Sequence, residues 1–299
     1  MRLRRSELST PGSNERMIQK AAESNADLVF LDLEDAVAPS EKVAARAKVV
    51  AALQELDWGK KTVGVRINGL DTEWAYEDVI QVVEGGHRRL DVLIIPKVKT
   101  AADVRWVDVL LSQIEAKLKT ERRIGLEAII EDVEALVNVV EIARSSPRLE
   151  ALILGFGDYS ASQGIIIDRV REYPGDIWHY ARNQVVVAAR LAGIDAIDGP
   201  YADFRDPEGY RREATLARIL GFVGKWAIHP SQIDIANEVY SPTEQEMALA
   251  RKIVDAYEQA QREGVGAIAV DGRLIDAATI RIMQNILAKA EAIEASSRP

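Results

Sequence analysis

Glu131 and Asp158 each follow an apolar stretch of buried-strand length, Gly125 to Ile130 and Ala151 to Gly155. On neighbouring parallel strands their carboxylates can converge, and two hard oxygen ligands without cysteine or paired histidine suit Mg2+ or Mn2+. The competing reading pairs each acid with a nearby Arg, or makes it a cap of the next helix, where negative charge is favoured. Arg66 sits in the apolar run Val65-Arg66-Ile67-Asn68. Burying a guanidinium there is costly unless it meets an anion. Its planar fork suits a carboxylate or enolate oxygen, or a structural pair with Glu34 or Asp35. The run Asp32-Leu33-Glu34-Asp35 places three acids at one strand end. They raise each other's pKa unless cations or hydrogen bonds intervene. Either one of them touches metal-bound water, or Asp35 caps the following helix. Gly155-Phe156-Gly157-Asp158 reads as a Gly-rich turn, but it lacks the third Gly and the Lys of a phosphate loop. Lys97 and His229 also end apolar runs, whereas His87 in a loop and His179 in a helix receive no role.

Seven of eight strand-like segments end in this way, at a charged or hydrogen-bonding group. The apolar runs are Leu28 to Leu33, Thr62 to Ile67, Val92 to Ile95, Gly125 to Ile130, Ala151 to Gly155, Ile194 to Ile197 and Lys225 to Ile228, with Leu3 to Ser9 as the first strand. Continuous apolar runs are expected of strands buried on both faces. Helical patterns alternate with them: Asn14 to Ser24, Glu41 to Glu55, Trp74 to Glu84, Ala101 to Lys119, Val133 to Ser145, Ile177 to Ala192 and Pro207 to Leu220. Such alternation predicts a closed parallel (β/α)8 barrel, in which the loops after the strands share one face and carry the chemistry.

Residues 241–299 do not continue the pattern of residues 1–240. Thr243 and Glu246 announce a long helix to Glu263 with a capping box. Asp271-Gly272 between Val265 to Val270 and Arg273 to Ile275 predicts a hairpin, with Asp271 as a turn residue, and Ala277 to Ala292 a final helix. This helix-hairpin-helix extension is expected to lack a core of its own and to pack on the barrel or on a neighbouring subunit. No repeat or low-complexity stretch is seen beyond a frayed Ser296 to Pro299.

A net charge of −9 argues against broad binding to nucleic acid or anionic membranes, so any phosphate must meet local cations. The absence of cysteine excludes disulfides, thiolate metal sites and a thiol nucleophile. No apolar run approaches the ~20 residues of a membrane span, and Met1 to Arg5 leads into no signal-type apolar region. A cytoplasmic enzyme is expected.

Pro11-Gly12-Ser13, Leu31 to Val37, Val65 to Gly69, Ile95-Pro96-Lys97, Ile129-Ile130-Glu131, Gly157-Asp158-Tyr159-Ser160, Asp198-Gly199-Pro200 and Lys225 to Pro230 occur in an order that resembles the HpcH/HpaI aldolase and citrate lyase β-subunit superfamily, within it the malyl-CoA lyase branch. The resemblance spans nearly the whole chain. It implies a TIM barrel in which Glu131 and Asp158 bind Mg2+, with Mn2+ as the alternative, and Glu34, Asp35 and Lys97 stand behind them. It also implies that Arg66 holds the oxygen whose charge changes, and that Asp276, in Leu274-Ile275-Asp276, reaches a neighbouring subunit's site as acid or base. On sequence alone an N-cap of the last helix serves Asp276 equally. Coenzyme A would be held near Lys20 and the Ile228-His229 turn, with Gly157 and Asp158 also facing substrate. Ser9 and Asn14 stand at further contact positions, where this chain lacks the aromatic and the Arg that some relatives use.

The reaction implied is reversible cleavage of malyl-CoA to acetyl-CoA and glyoxylate, with β-methylmalyl-CoA giving propionyl-CoA, in a homotrimer or homohexamer. The same site would also serve a citramalyl-CoA lyase, a malyl-CoA thioesterase or malate synthase, or a citryl lyase resembling the citrate lyase β-subunit. The non-enzyme alternative is a binding or assembly protein on a decayed barrel. Between Ser162 and Trp178 the loop is shorter than in several malyl-CoA lyases, which leaves the acyl group open.

Overall fold

The computed structural model describes residues 2–297; Met1, Arg298 and Pro299 lie outside the described residues. From the N-terminus the chain forms β1 (Ser6–Pro11), α1 (Glu15–Glu23), β2 (Leu28–Asp32), α2 (Lys42–Glu55), β3 (Thr62–Arg66), α3 (Ala75–Gly86), β4 (Val92–Ile95), α4 (Ala101–Leu118) and β5 (Gly125–Ile130). There follow α5 (Val133–Val137), α6 (Val139–Ala143), β6 (Leu149–Leu154), α7 (Phe156–Gln163), α8 (His179–Ala192), β7 (Asp195–Asp198), α9 (Pro207–Leu220), β8 (Gly224–Ala227) and α10 (Ile233–Val239).

The eight strands form a closed barrel in sequential order. All neighbours are parallel, and β1 closes the ring by pairing Glu7 with Leu28 of β2 and with Trp226 of β8. Strands β2 to β5 are buried at every position, as their uninterrupted apolar runs require. Inside, Phe30, Val92, Ile94, Ile129, Ile153, Ile197 and Trp226 pack into one cluster. Phe30 meets Trp226 edge to face, with ring centroids 5.2 Å apart. Each large apolar side chain buried in this layer contributes roughly 1.5–3 kcal/mol to barrel cohesion. Toward the N-terminal strand ends lies a charged layer in which Arg4 Nε donates to Glu127 at 2.8 Å and Arg4 Nη1 to Asp195 at 3.2 Å. Glu7 is fully buried there, and both its oxygens lack a hydrogen-bond partner.

Three local expectations are corrected. The first strand begins at Ser6 and runs to Pro11 because its register partners on β2 and β8 start there. The helix expected over Val133 to Ser145 breaks at Asn138, whose side chain donates to Lys99 O at 3.0 Å. Gly155 to Asp158 is not a free turn: Gly155 precedes α7, and Asp158 is the third residue of that helix rather than a strand end.

The described chain divides into two compact units, Arg4–Glu238 and, together with residues 2 and 3, the part from Val239 onward. The second contains α11 (Glu244–Arg262), the antiparallel strands β9 (Ile268–Val270) and β10 (Arg273–Ile275), and α12 (Ala277–Ser297). Thr243 and Glu246 make both bonds of the capping box. Asp271 and Gly272 turn the hairpin with φ of 51° and 74°, the left-handed pair that a two-residue hairpin favours. Contrary to the expectation that this segment lacks a core, Ile253, Tyr257, Ile275 and Ile280 form a buried cluster within it. Among the described residues no helix is long and apolar enough to cross a membrane.

Candidate active site

At the C-terminal end of β2, the Asp32 carboxylate accepts from Arg66 Nε at 2.7 Å and Nη2 at 2.6 Å, and also from the backbone N–H of Glu34 and of Ala36. One edge of the guanidinium fork is therefore occupied by Asp32. Nη1 stands 3.1 Å from Glu34 and 3.8 Å from Asp35, and the ring of Trp226 lies 5.1 Å from the guanidinium carbon. Burial works against the Arg66 charge, but the hydrogen bonds and charge of Asp32 hold its pKa above the usual value. Lys97 Nζ reaches Glu34 at 2.7 Å and Asp35 at 3.6 Å. Lys42 Nζ donates to Leu33 O at 3.0 Å and Glu34 O at 2.9 Å, fixing the turn that carries the acids. Three cations thus face three acids. Burial still raises Glu34 above the ordinary carboxylate value, against the pull of Arg66 and Lys97. Asp35 is half exposed and faces these cations; the helix that follows has no side-chain cap.

Lys97 has a positive φ of 51° just beyond β4. That conformation is uncommon for a residue with a Cβ and tends to mark functional sites. It aims the Lys97 N–H at Glu131 Oε1, 2.8 Å away. Gly155 makes room for the same carboxylate: a Cβ there would lie 2.6 Å from Glu131 Cβ and 2.6 Å from Oε2. Glu131 and Asp158 line one cleft of about 520 Å³ with Leu70, Asp71, Lys97 and Lys99. Burial, then the charges of Glu34 and Asp158, push Glu131 up to about 8, against the Lys97 N–H and Arg66. A carboxyl so placed is stabilised as the anion by an added cation. Among the described residues no group of three or more His, Asp or Glu is arranged to hold a metal alone. Two carboxylates and an open cleft fit Mg2+, which retains waters and takes oxygens from substrate.

The structure brings Arg66, Glu34, Asp35, Lys97, Glu131 and Asp158 into one neighbourhood at the strand ends. Lys20 is exposed on α1, Ser9 is half-buried on β1, and Asn14 caps α1 by accepting from Met17 N at 3.1 Å. His229 stacks on Phe204 with centroids 4.8 Å apart, its Nδ1 2.8 Å from Ser231 Oγ, and the neighbouring Ile228 is partly exposed. None of these five lines the cleft of Glu131 and Asp158. Gly157 is exposed beside Asp158 on α7, with open space where a side chain would stand. Asp276 accepts from Ala278 N and Thr279 N, each at 3.0 Å, in the first turn of α12. The backbone and hydroxyl of Thr279 lower its pKa.

Sequence reasoning missed a buried polar group beside this neighbourhood. Lys225 Nζ meets Asp198 at 2.5 Å, Gly199 O at 2.7 Å and Glu213 at 2.9 Å, while Arg182 pairs with Asp198 at 2.9 Å. The signal was a Lys inside an otherwise apolar strand, followed by Trp226-Ala227-Ile228.

Residues 5–230 match the family model described as HpcH/HpaI aldolase/citrate lyase. The L-malyl-CoA/beta-methylmalyl-CoA lyase of Rhodobacter capsulatus is 45% identical, covering 97% of this chain and 95% of its own. The (3S)-malyl-CoA thioesterase of Cereibacter sphaeroides is 38% identical, covering 97% and 96%. Among solved structures, protein CitE from Mycobacterium tuberculosis in complex with magnesium, acetoacetate and coenzyme A is 28% identical with a TM-score of 0.77, covering 96% of this chain and 97% of that one. On the match over three-quarters of its length, a range that includes every residue of the cleft described above, the chain belongs to the HpcH/HpaI aldolase/citrate lyase family.

Proposed function

We propose that the protein is a Mg2+-dependent carbon–carbon lyase that reversibly cleaves malyl-CoA to acetyl-CoA and glyoxylate, and β-methylmalyl-CoA to propionyl-CoA and glyoxylate. The observation that carries this reading is the shared cleft of Glu131 and Asp158, beside a fixed Arg66, in a chain 45% identical to a lyase of that name. Glu131 and Asp158 hold the cation. When bound, Mg2+ supplies positive charge for the alkoxide and the emerging oxoacid.

The remaining steps belong to side chains. Arg66, held by Asp32, presents preorganised charge to the thioester oxygen as the enolate forms, at no cost of reorganisation. Lys97 and Glu34 keep that guanidinium and Glu131 in register. Asp276, ionised and on the C-terminal segment of a neighbouring subunit, takes the hydroxyl proton of the substrate. The C2–C3 electron pair then moves into the thioester enolate, glyoxylate departs, and Asp276 returns the proton to the enolate carbon. That sharing requires an oligomer, which we read as a homotrimer or homohexamer. Coenzyme A lies along Lys20, Gly157 and the Ile228-His229 turn, with Ser9 and Asn14 as outer contacts. No covalent nucleophile is required.

Chromatography of coenzyme A species after incubation with malyl-CoA and Mg2+ tests the assignment. Acetyl-CoA is expected; free coenzyme A with malate would make the protein a thioesterase like its 38% identical relative, and pyruvate from citramalyl-CoA would change the acyl group.

A further inference from the structure

Asp158 sits near the start of an eight-residue helix, α7, which at that length has little stability of its own in water. Gly157 precedes it, exposed and with nothing near the place of a side chain. The pose of Asp158 therefore depends on what grips the helix on either side. Phe156 and Ser160, two residues before and two after, are both buried. Both are held by one side chain. Trp178 stacks its ring on Phe156 with centroids 4.6 Å apart and planes inclined by 30°. Its indole Nε1 donates to Ser160 Oγ at 3.0 Å.

Phe156 is confined on its other sides as well. The Arg182 guanidinium carbon lies 4.7 Å from its centroid and the Lys225 ammonium 5.4 Å. Arg182 is itself fixed by Asp198 at 2.9 Å, Asp176 at 2.6 Å and Glu213 at 2.8 Å. Gly199 admits the ring, since a Cβ there would stand 2.7 Å from Phe156 Cδ2. A buried Phe needs neither a second aromatic face nor a hydrogen bond to the residue four positions later to fill space; both together set the rotation of the helix.

We propose that Trp178 is a positioning residue that clamps α7 through Phe156 and Ser160, and so holds Asp158 in the orientation that binds the cation. This rests on the reading of Asp158 as a cation ligand. Groups that orient metal ligands from behind typically contribute about 10–100-fold to affinity when removed.

The test is binding of Mn2+ alone to the full-length protein, followed by the EPR signal of free Mn2+, with thermal unfolding of each variant measured alongside. Asp158→Asn serves as the reference for loss of a ligand. Trp178→Ala, which loses stacking and hydrogen bond, is expected to weaken Mn2+ binding by ~10–100-fold. Trp178→Phe and Ser160→Ala, which lose the hydrogen bond alone, are expected to weaken it by ~3–10-fold, and the two together no more than either one. Should Trp178→Ala fail to fold, the two milder variants decide. Wild-type Mn2+ affinity in the Trp178 and Ser160 variants, with only the melting temperature changed and Asp158→Asn impaired, would overturn the clamp. Wild-type affinity in Asp158→Asn would overturn both the clamp and the ligand assignment beneath it.

Discussion

Glu131 should give up a proton when a divalent cation binds, and its surroundings set how much. Its carboxyl is raised to about 8 by burial and by the neighbouring Glu34 and Asp158. At pH 7 roughly nine-tenths of it is then protonated, and at pH 6 about 99%. A cation requires the ionised form. The apparent Kd for Mg2+ should therefore fall about tenfold from pH 6 to 7, about fivefold from 7 to 8, and little above 9. Calorimetric titration at pH 7 in two buffers of different ionisation enthalpy should return about 0.9 proton released per Mg2+ bound, and Glu131→Gln should abolish that release. The same shift has a consequence for stability. A raised carboxyl keeps its proton in the folded state after the unfolded chain has lost it, so the cation-free protein should lose stability as pH rises from about 4.5 toward 8. Saturating Mg2+ should remove that decline. A Kd independent of pH between 6 and 8, with no protons released, would refute this account of Glu131.

Asp198→Asn should lower the melting temperature by ~6–20 °C, because breaking a buried ion pair costs about 3–5 kcal/mol and Asp198 faces both Lys225 and Arg182. Burial opposes the Asp198 charge, but Lys225 and then Arg182 hold its pKa below 3.8. Its contribution is present above that value and lost as pH falls further, so the variant should show a shallower acid limb in unfolding scans; parallel limbs would contradict this. Glu7→Gln should stabilise the protein by ~1–3 kcal/mol at pH 8 and less at pH 5, since burial and Glu127 raise the Glu7 pKa; a destabilised variant in denaturant titration would count against a protonated Glu7. Gly155→Ala drives a methyl group into the Glu131 carboxylate. Steady-state kinetics should give kcat/KM reduced at least ~10-fold at limiting Mg2+, recovering in part at high Mg2+, whereas wild-type kinetics would show that the carboxylate has room to spare.

The barrel was legible because buried parallel strands require unbroken apolar runs, and residues such as Glu131 and Arg66 at their ends have few structural uses. The hairpin followed from Asp271-Gly272, whose backbone angles few other pairs adopt. Partnerships were legible only in part. Arg66 does meet Glu34 and Asp35, as its place in the sequence suggested, but its two-pronged partner is Asp32, a choice set by the register of β2 beside β3 that pairs Asp32 with Arg66. Helix α7 was missed because Gly155 and Gly157 suggest a turn; contacts with Trp178, distant in sequence, override that local preference. The break at Asn138 and the small core around Tyr257 likewise depend on contacts across the chain. Lys225 stood out as a Lys in an apolar run, but its partners Asp198 and Glu213, and Arg182 beside them, come from other elements that spacing along the chain does not bring together.

The most direct test of the central claim is the simultaneous assay of glyoxylate and acetyl-CoA released from malyl-CoA, with Mg2+ titrated against wild type, Glu131→Gln and Asp158→Asn. Equal amounts of both products from wild type, abolished by chelator and absent in both variants at low Mg2+, are predicted. Undiminished cleavage in the presence of chelator, or variants with wild-type Mg2+ dependence, would contradict it.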